Sequence, residues 1–214
     1  MTYPQSIDRI SLLDGISEIL DLDDPAVRTV LEQCRDLVIP KGHLFFKDGD
    51  TARYVYFIVS GKARSYYTAD EGRVITWSFH FNEAQSDLKN LFVADVKSLL
   101  TQTPGSMTVE ALTDIRAIRI GQHADGLASG HLAVLKKCME KLKEYFFGMA
   151  YDRFFNLLTL SATDRYNHLV EHEPYLLQLF TDKYLASYIG IEPQSLSRIR
   201  KNLQLRRSVP SAAG

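Results

Sequence analysis

The residues of this chain best suited to bind a charged partner are concentrated near its C-terminal end. Between Pro193 and Gly214 there are five basic residues and no acidic ones, whereas the whole chain has 25 basic and 26 acidic residues. The polar and basic side chains that follow Pro193 are Gln194, Ser195, Ser197, Arg198, Arg200 and Lys201. Affinity for nucleic acid comes from local neutralisation of phosphates rather than from total charge. The pattern therefore indicates a local phosphate-binding surface on a mildly acidic protein.

Two short helices joined by a tight turn are predicted to carry this surface. Thr181 is expected to cap the first helix through its hydroxyl, and Asp182 adds a negative charge to the first turn. Gly190 supplies the positive φ that ends the helix, and Pro193 suits the first turn of a second helix over about 193–203. The apolar residues at helical spacing are Leu185, Ala186, Ile189, Leu196, Ile199 and Leu203. This is a helix-turn-helix pattern, with a solvated helical hairpin as the alternative.

The segment from about residue 37 to residue 120 has the composition of strands. Turn residues interrupt its β-branched and aromatic runs, often at intervals of roughly 8–12 residues, which is the spacing of a sandwich or barrel. Residues 54–59 and 62–67, joined at Ser60-Gly61, are expected to form a hairpin. Residues 115–120 alternate cleanly, whereas residues 80–100 are irregular and predict a loop with a short helix.

A long amphipathic helix is predicted from residue 132 onward. One apolar stripe has alternating spacings of three and four and consists of Leu132, Leu135, Met139, Leu142, Phe146 and Met149. A second stripe lies around the helix and consists of Phe147, Tyr151, Phe154 and Leu158, so the helix is expected to contact both a partner and its own domain. The first stripe is typical of a coiled-coil seam and predicts a homodimer. The alternative is that both stripes pack within one subunit.

Two further helices and the overall composition complete the prediction. A helix-start signal at Asp24-Pro25 is followed at helical spacing by Val27, Val30, Leu31 and Cys34. A capping box at Ser161 begins a helix of the C-terminal part. The length suits two domains. No stretch resembles a secretion signal or a membrane span, so a cytoplasmic location without membrane contact is expected. With only two cysteines we expect no iron–sulfur cluster, and His168 and His172 lack a third ligand, so no metal or cofactor is expected.

The order of these elements resembles the cyclic-AMP receptor protein and Fnr family of bacterial transcription regulators. The most specific similarities are at residues 42–50, 55–61 and 108–112 and in the helix-turn-helix. The resemblance implies an α+β fold: a β jelly-roll effector domain (1–125), a long coupling and dimerisation helix (126–160) and a winged helix-turn-helix domain (161–214). It also implies double-stranded DNA and RNA polymerase as partners.

Within the second helix, the resemblance assigns base reading to Gln194 and Arg198. Their side chains suit adenine and guanine edges respectively. Ser195, Ser197, Arg200 and Lys201 are then candidates for phosphate contacts, and Thr181 is included in the expected DNA-binding set.

The chain departs from the family where cyclic AMP would bind. Relatives that bind it have a Gly-Glu pair for the ribose and, ten residues beyond the Glu, an Arg for the phosphate. The aligned residues here are Ala94, Asp95, Gly105 and Ser106. Loss of the arginine should cost about 1.5–3 kcal/mol of binding free energy, so cyclic AMP is not the expected ligand. The effector stays open, with haem or an uncharged metabolite as alternatives.

An enzyme of the cupin type, built on the same β domain, is the rival interpretation. It would need clustered metal ligands, whereas His43, His80, His123 and His131 are scattered along the chain. The sequence therefore favours a regulator without catalytic residues.

Overall fold

The computed structural model describes residues 34–121 and 129–208. The predicted helix after Pro25 lies outside these residues, except for Cys34, which is buried. The strands are β1 (Arg35–Ile39), β2 (Leu44–Phe46), β3 (Tyr54–Ser60), β4 (Lys62–Thr68), β5 (Val74–Phe81), β6 (Phe92–Val93), β7 (Met107–Ala111) and β8 (Ile115–Gly121). The helices are α1 (Leu88–Leu91), α2 (Val96–Thr101), α3 (Ser129–Thr159), α4 (Ala162–His172), α5 (Leu176–Leu179), α6 (Asp182–Tyr188) and α7 (Pro193–Ser208).

The strands form two four-stranded sheets, as a sandwich requires. Their orders are β1-β8-β3-β6 and β2-β7-β4-β5. Alternate residues of each strand face a shared core that includes Ile58, Ala63, Val109, Ile115 and Ala117. A second cluster, centred on Phe57, Phe92 and Ile118, lies on the other face of the first sheet. The β-sandwich prediction is therefore confirmed.

The predicted hairpin between residues 54–59 and 62–67 is wrong. β3 pairs with β6 and β8, whereas β4 pairs with β7 in the other sheet. The tight turn was identified correctly, because Gly61 has φ +94°. A Cβ at this position would overlap the backbone oxygen of Asp114, so only glycine lets the chain cross between the sheets here.

The chain separates into two compact units, and the boundary falls within α3. The first unit contains the described residues up to Thr68 and Trp77–Met149. The second contains Ala69–Thr76 and the residues from Ala150 onward. None of the described helices is long and apolar enough to cross a membrane.

The second unit is built mainly from helices. Ser161 caps α4 as predicted, because its hydroxyl accepts a hydrogen bond from the Asp164 backbone N–H at 3.2 Å. The short helix α5 was not predicted, and α7 continues to Ser208, beyond the expected end at residue 203. Between Ala150 and Ser208 there is no strand, so these residues do not show the wing that the resemblance implied.

Candidate nucleic-acid interface and effector cassette

The turn between α6 and α7 has the geometry that the sequence predicted. Gly190 has φ +70°, and the Ile191 backbone N–H donates to the Ala186 carbonyl at 2.9 Å, as at a helix end closed by a left-handed glycine. Leu185, Ala186 and Leu196 are fully buried where the two helices cross. The helix-turn-helix is thus held by its own small apolar core.

Thr181 occupies the position before α6, but its hydroxyl does not cap the helix. Its backbone is extended, with φ −73° and ψ 155°, as at a capped start, yet the side chain accepts no hydrogen bond from the first turn. The expectation of a hydroxyl cap is therefore wrong. Because Thr181 is exposed, its side chain is accessible to a partner.

Most of the predicted contact residues of α7 lie on the side of the helix opposite Leu196 and Ile199, whereas Ser195 and Arg200 lie at the flanks of that side. Gln194, Ser197, Arg198 and Lys201 are exposed, and Ser195 is half-buried. Since Leu196 and Ile199 anchor the other side in the core, the polar side is presented to solvent in a fixed orientation.

Arg200 differs from the other predicted contact residues because it has intramolecular partners. Its Nη1 lies 2.6 Å from the Asp182 carboxylate of α6, and its Nε donates to the Tyr166 hydroxyl of α4 at 3.2 Å. Partial burial alone would lower the pKa of Arg200, but the hydrogen bonds that it donates to Asp182 and Tyr166 raise this pKa on balance. The side chain therefore ties α7 to both neighbouring helices, and its charge is already paired.

Two arginines that the sequence did not single out also hold the helix-turn-helix. Arg165 donates to the carbonyls of Ile189 (2.7 Å) and Leu160 (2.6 Å), next to the turn. Arg153 donates to the carbonyls of Thr76 (2.7 Å) and Tyr188 (2.6 Å), and its guanidinium stacks on the Tyr188 ring. Burial lowers the pKa of Arg153. The only sequence signal for Arg153 was a cation inside an apolar helical stretch.

Ser187 of α6 connects to residues 74–76 of the same unit. Its hydroxyl accepts from the Thr76 backbone N–H at 2.8 Å and donates to the Val74 carbonyl at 2.8 Å. The segment Ala69–Thr76 thereby fixes the end of α6, a contact between residues more than a hundred positions apart.

The effector cassette is the set of residues aligned with the family's cyclic-AMP site, namely Ala94, Asp95, Gly105 and Ser106. The polar groups of Asp95 and Gly105 are hydrogen-bonded within the protein. The Asp95 carboxylate accepts from the Ser98 backbone N–H at 3.0 Å and so caps α2. A Cβ on Gly105 would overlap this carboxylate, so the present arrangement leaves no room for a side chain at position 105. The Gly105 backbone N–H donates to the Asp50 carbonyl, and the Gly105 carbonyl accepts from the Gly49 backbone N–H, both at 2.9 Å. Ala94 is half-buried and Ser106 is exposed.

No metal centre is found in the part of the chain that the structure describes. Among those residues there is no group of three or more His, Cys, Asp or Glu side chains placed to hold an ion. His168 and His172 lie with ring centroids 4.2 Å apart on α4.

Comparison with known proteins identifies the class of the β domain. Residues 37–124 match the family described as the cyclic nucleotide-binding domain. No curated protein sequence matches the chain.

Solved structures extend the similarity to the helical part of the chain. FixK2 from Bradyrhizobium japonicum aligns with TM-score 0.65 and 18% identity, over 85% of this chain and 89% of that one. CLP from Xanthomonas campestris, a c-di-GMP responsive global regulator, aligns with TM-score 0.63 and 17% identity, over 89% and 96%. A protein from Eubacterium rectale described as a transcriptional regulator of the Crp/Fnr family aligns with TM-score 0.65 and 16% identity, over 89% and 87%. The predicted resemblance to Crp/Fnr regulators is confirmed at the level of the fold.

Proposed function

We propose that this chain is a dimeric, sequence-specific DNA-binding transcription regulator without enzymatic activity. The observation that carries the proposal is the exposed polar and basic face of α7, held in place by buried Leu196 and Ile199. A rigid helix with cations on its solvent side is the element that fits the major groove of DNA. The cytoplasm is the proposed location and RNA polymerase the proposed protein partner.

We divide the polar residues of α7 into those proposed to contact base edges and those proposed to contact phosphates. Arg198 and Gln194 are proposed to read guanine and adenine edges. Lys201, Ser195 and Ser197 are proposed to contact phosphates, together with Thr181 at the start of α6. Because Arg200 already pairs with Asp182, we assign it to positioning α7 rather than to a phosphate contact.

The second stripe of α3 supports a homodimer. Its members Phe147, Tyr151, Phe154 and Leu158 are 61–74% exposed in the single chain, and the adjacent Phe155 is 55% exposed. Monomers rarely leave so many neighbouring aromatic side chains in water, and spacings of four, three and four suit a helix pair. Of the first stripe, Phe146 and Met149 are half-buried, and the side chains of Leu132, Leu135, Met139 and Leu142 lie outside the described residues. We therefore place the interface along the second stripe in this part of α3.

The β domain is proposed not to bind cyclic AMP. The buried Asp95 carboxylate occupies the space that a phosphate-binding arginine would need and would itself repel a phosphate. Titration calorimetry with cyclic AMP should therefore give no binding heat, and micromolar affinity would contradict the proposal.

DNA binding can be tested by fluorescence anisotropy with random-sequence duplexes at low salt. The full chain should bind, and Arg198→Ala combined with Lys201→Ala should abolish most binding. Lys143→Ala changes an equally exposed cation on α3 and should leave binding unchanged. Binding that is insensitive to both changes in α7 would refute the assignment of the interface.

A further inference from the structure

A small cleft opens in the β domain on the core-facing side of β1, β8 and β3. Its volume is about 290 Å³, and its walls include Leu37, Ile39, His43, Phe45, Tyr56 and Arg119. The aromatic side is ordered by ring contacts, since Phe45 and Tyr56 meet edge to face with centroids 5.0 Å apart. The lining of the cleft is therefore mostly apolar and aromatic, and its polar groups are the Arg119 guanidinium, the His43 imidazole and the Tyr56 hydroxyl.

The strand register places a second arginine directly opposite Arg119 in the sheet. Arg35 of β1 and Arg119 of β8 are direct antiparallel partners, and Tyr56 of β3 is the partner of Arg119 on the opposite side. Direct partners project from the same face of a sheet, and like charges placed opposite one another are destabilising. No carboxylate among residues 34–121 and 129–208 pairs with either arginine, so the like-charge pair is uncompensated there.

Arg119 is held in place without using its hydrogen-bond donors. Its guanidinium stacks over the Tyr54 ring at 4.4 Å from the centroid, and within the described residues it donates to no oxygen. Stacking fixes the plane of the group while its N–H donors stay available. The Tyr56 hydroxyl beside it likewise has no hydrogen-bond partner in that part of the chain.

We propose that this cleft binds a small aromatic carboxylate. The carboxylate would accept hydrogen bonds from Arg119 and the Tyr56 hydroxyl and would relieve the repulsion between Arg119 and Arg35. The ring would pack against Phe45 and Leu37. The cleft is separate from the cassette at Asp95 and Gly105, and the inference does not depend on DNA binding.

Thermal unfolding of the full chain with three matched probes tests the proposal. Benzoate should raise the unfolding temperature, because a ligand that binds the native state stabilises it. Benzamide, its neutral counterpart, and inorganic phosphate, an anion without a ring, should not. An equal shift with benzamide or phosphate, or no shift with benzoate, would overturn the proposal.

Variants on the same strand locate the site. Arg119→Gln should weaken benzoate binding about tenfold or more, as expected for loss of a charged hydrogen bond. Arg116→Gln removes a cation from the opposite face of β8 and should leave binding unchanged. Arg35→Gln, at an exposed position that should not impair folding, should weaken binding by a smaller factor. Equal losses in Arg116→Gln and Arg119→Gln would exclude the cleft.

Discussion

Arg198 and Lys201 lie one helical turn apart on α7 and are both exposed, yet they should contribute differently to DNA binding. Arg198→Ala should cost about 1–3 kcal/mol of specific binding and relax the preference at one base pair. Lys201→Ala should weaken all sequences alike and reduce the salt dependence by about one ion. Affinities for a selected site and for random DNA, measured over a salt series, separate the two effects. Identical behaviour of the two variants would show that the roles are assigned wrongly.

His80 is a buried titratable side chain on β5 whose ring Nε2 lies 3.0 Å from the Ser65 hydroxyl. Burial lowers the pKa of His80 to about 4. In the unfolded chain this histidine has its ordinary pKa near 6.5. Between about pH 4 and pH 6.5 the imidazole is therefore protonated in the unfolded chain but neutral in the folded chain. The difference in pKa should lower the free energy of unfolding by about 3 kcal/mol as the pH drops from 8 to 4.

Denaturant unfolding over this pH range measures the effect. His80→Gln should be less stable than the wild type at pH 8 but should lose this part of the acid sensitivity. His172→Gln, at an exposed position, should retain the full sensitivity. An unchanged pH dependence in His80→Gln would show that the burial of this imidazole is not its cause.

At the scale of elements, the ion pair between Asp182 and Arg200 links α6 to α7. Asp182→Asn should free the Arg200 guanidinium, and a freed cation beside the groove can then neutralise a phosphate. We expect stronger binding to random DNA, a salt dependence steeper by about one ion and a smaller ratio of specific to non-specific affinity. Salt-dependent anisotropy measures all three.

Glu171→Gln is the control for the loss of a negative charge alone, because Glu171 is exposed on α4 and has no arginine partner among the described ion pairs. It should leave the salt dependence unchanged. If both variants steepened it equally, the effect would be general electrostatics and the positioning role of Arg200 would fail.

The exposed stripe of α3 makes a prediction about assembly. Phe154→Lys places a charge in the centre of the proposed interface and should convert the dimer to a monomer at micromolar concentration. Asp152→Lys, two residues away on another side of the helix, should leave the dimer intact. Sedimentation equilibrium distinguishes the two states, and a dimeric Phe154→Lys protein would place the interface elsewhere.

Local patterns were sufficient to predict the elements that local chemistry determines. The helix-turn-helix was readable because Gly190, Ala186 and Leu196 each satisfy a nearby steric or apolar requirement. The capping residue Ser161 was readable for the same reason. In contrast, the turn at Gly61 was located correctly but its strands were paired wrongly, because sheet assignment depends on partners such as β8, far away in sequence.

Long-range contacts account for most of what the sequence did not reveal about the site. Nothing near Arg200 in the sequence indicated that it would form an ion pair with Asp182, eighteen positions earlier. The contact between the Asp95 carboxylate and Gly105 could not be predicted, because the substitutions alone indicated only a missing cation. Arg153 and Ser187 hold α6 through residues 74–76, which no periodic pattern connects to the helix.

At the scale of the whole molecule, the proposed function requires two copies of α7 to act together. A two-fold dimer would present two such helices to successive major grooves, about 34 Å apart along the DNA. The β domain, in which the Asp95 carboxylate lies against Gly105, would then act without cyclic AMP.

Selection of bound sequences from a random duplex library by the purified protein tests this account most directly. We predict enrichment of an inverted repeat whose half-site centres lie about one helical turn apart, with one base pair per half-site losing its preference in Arg198→Ala. Recovery of an unsymmetrical sequence, or no enrichment at low ionic strength, would contradict it.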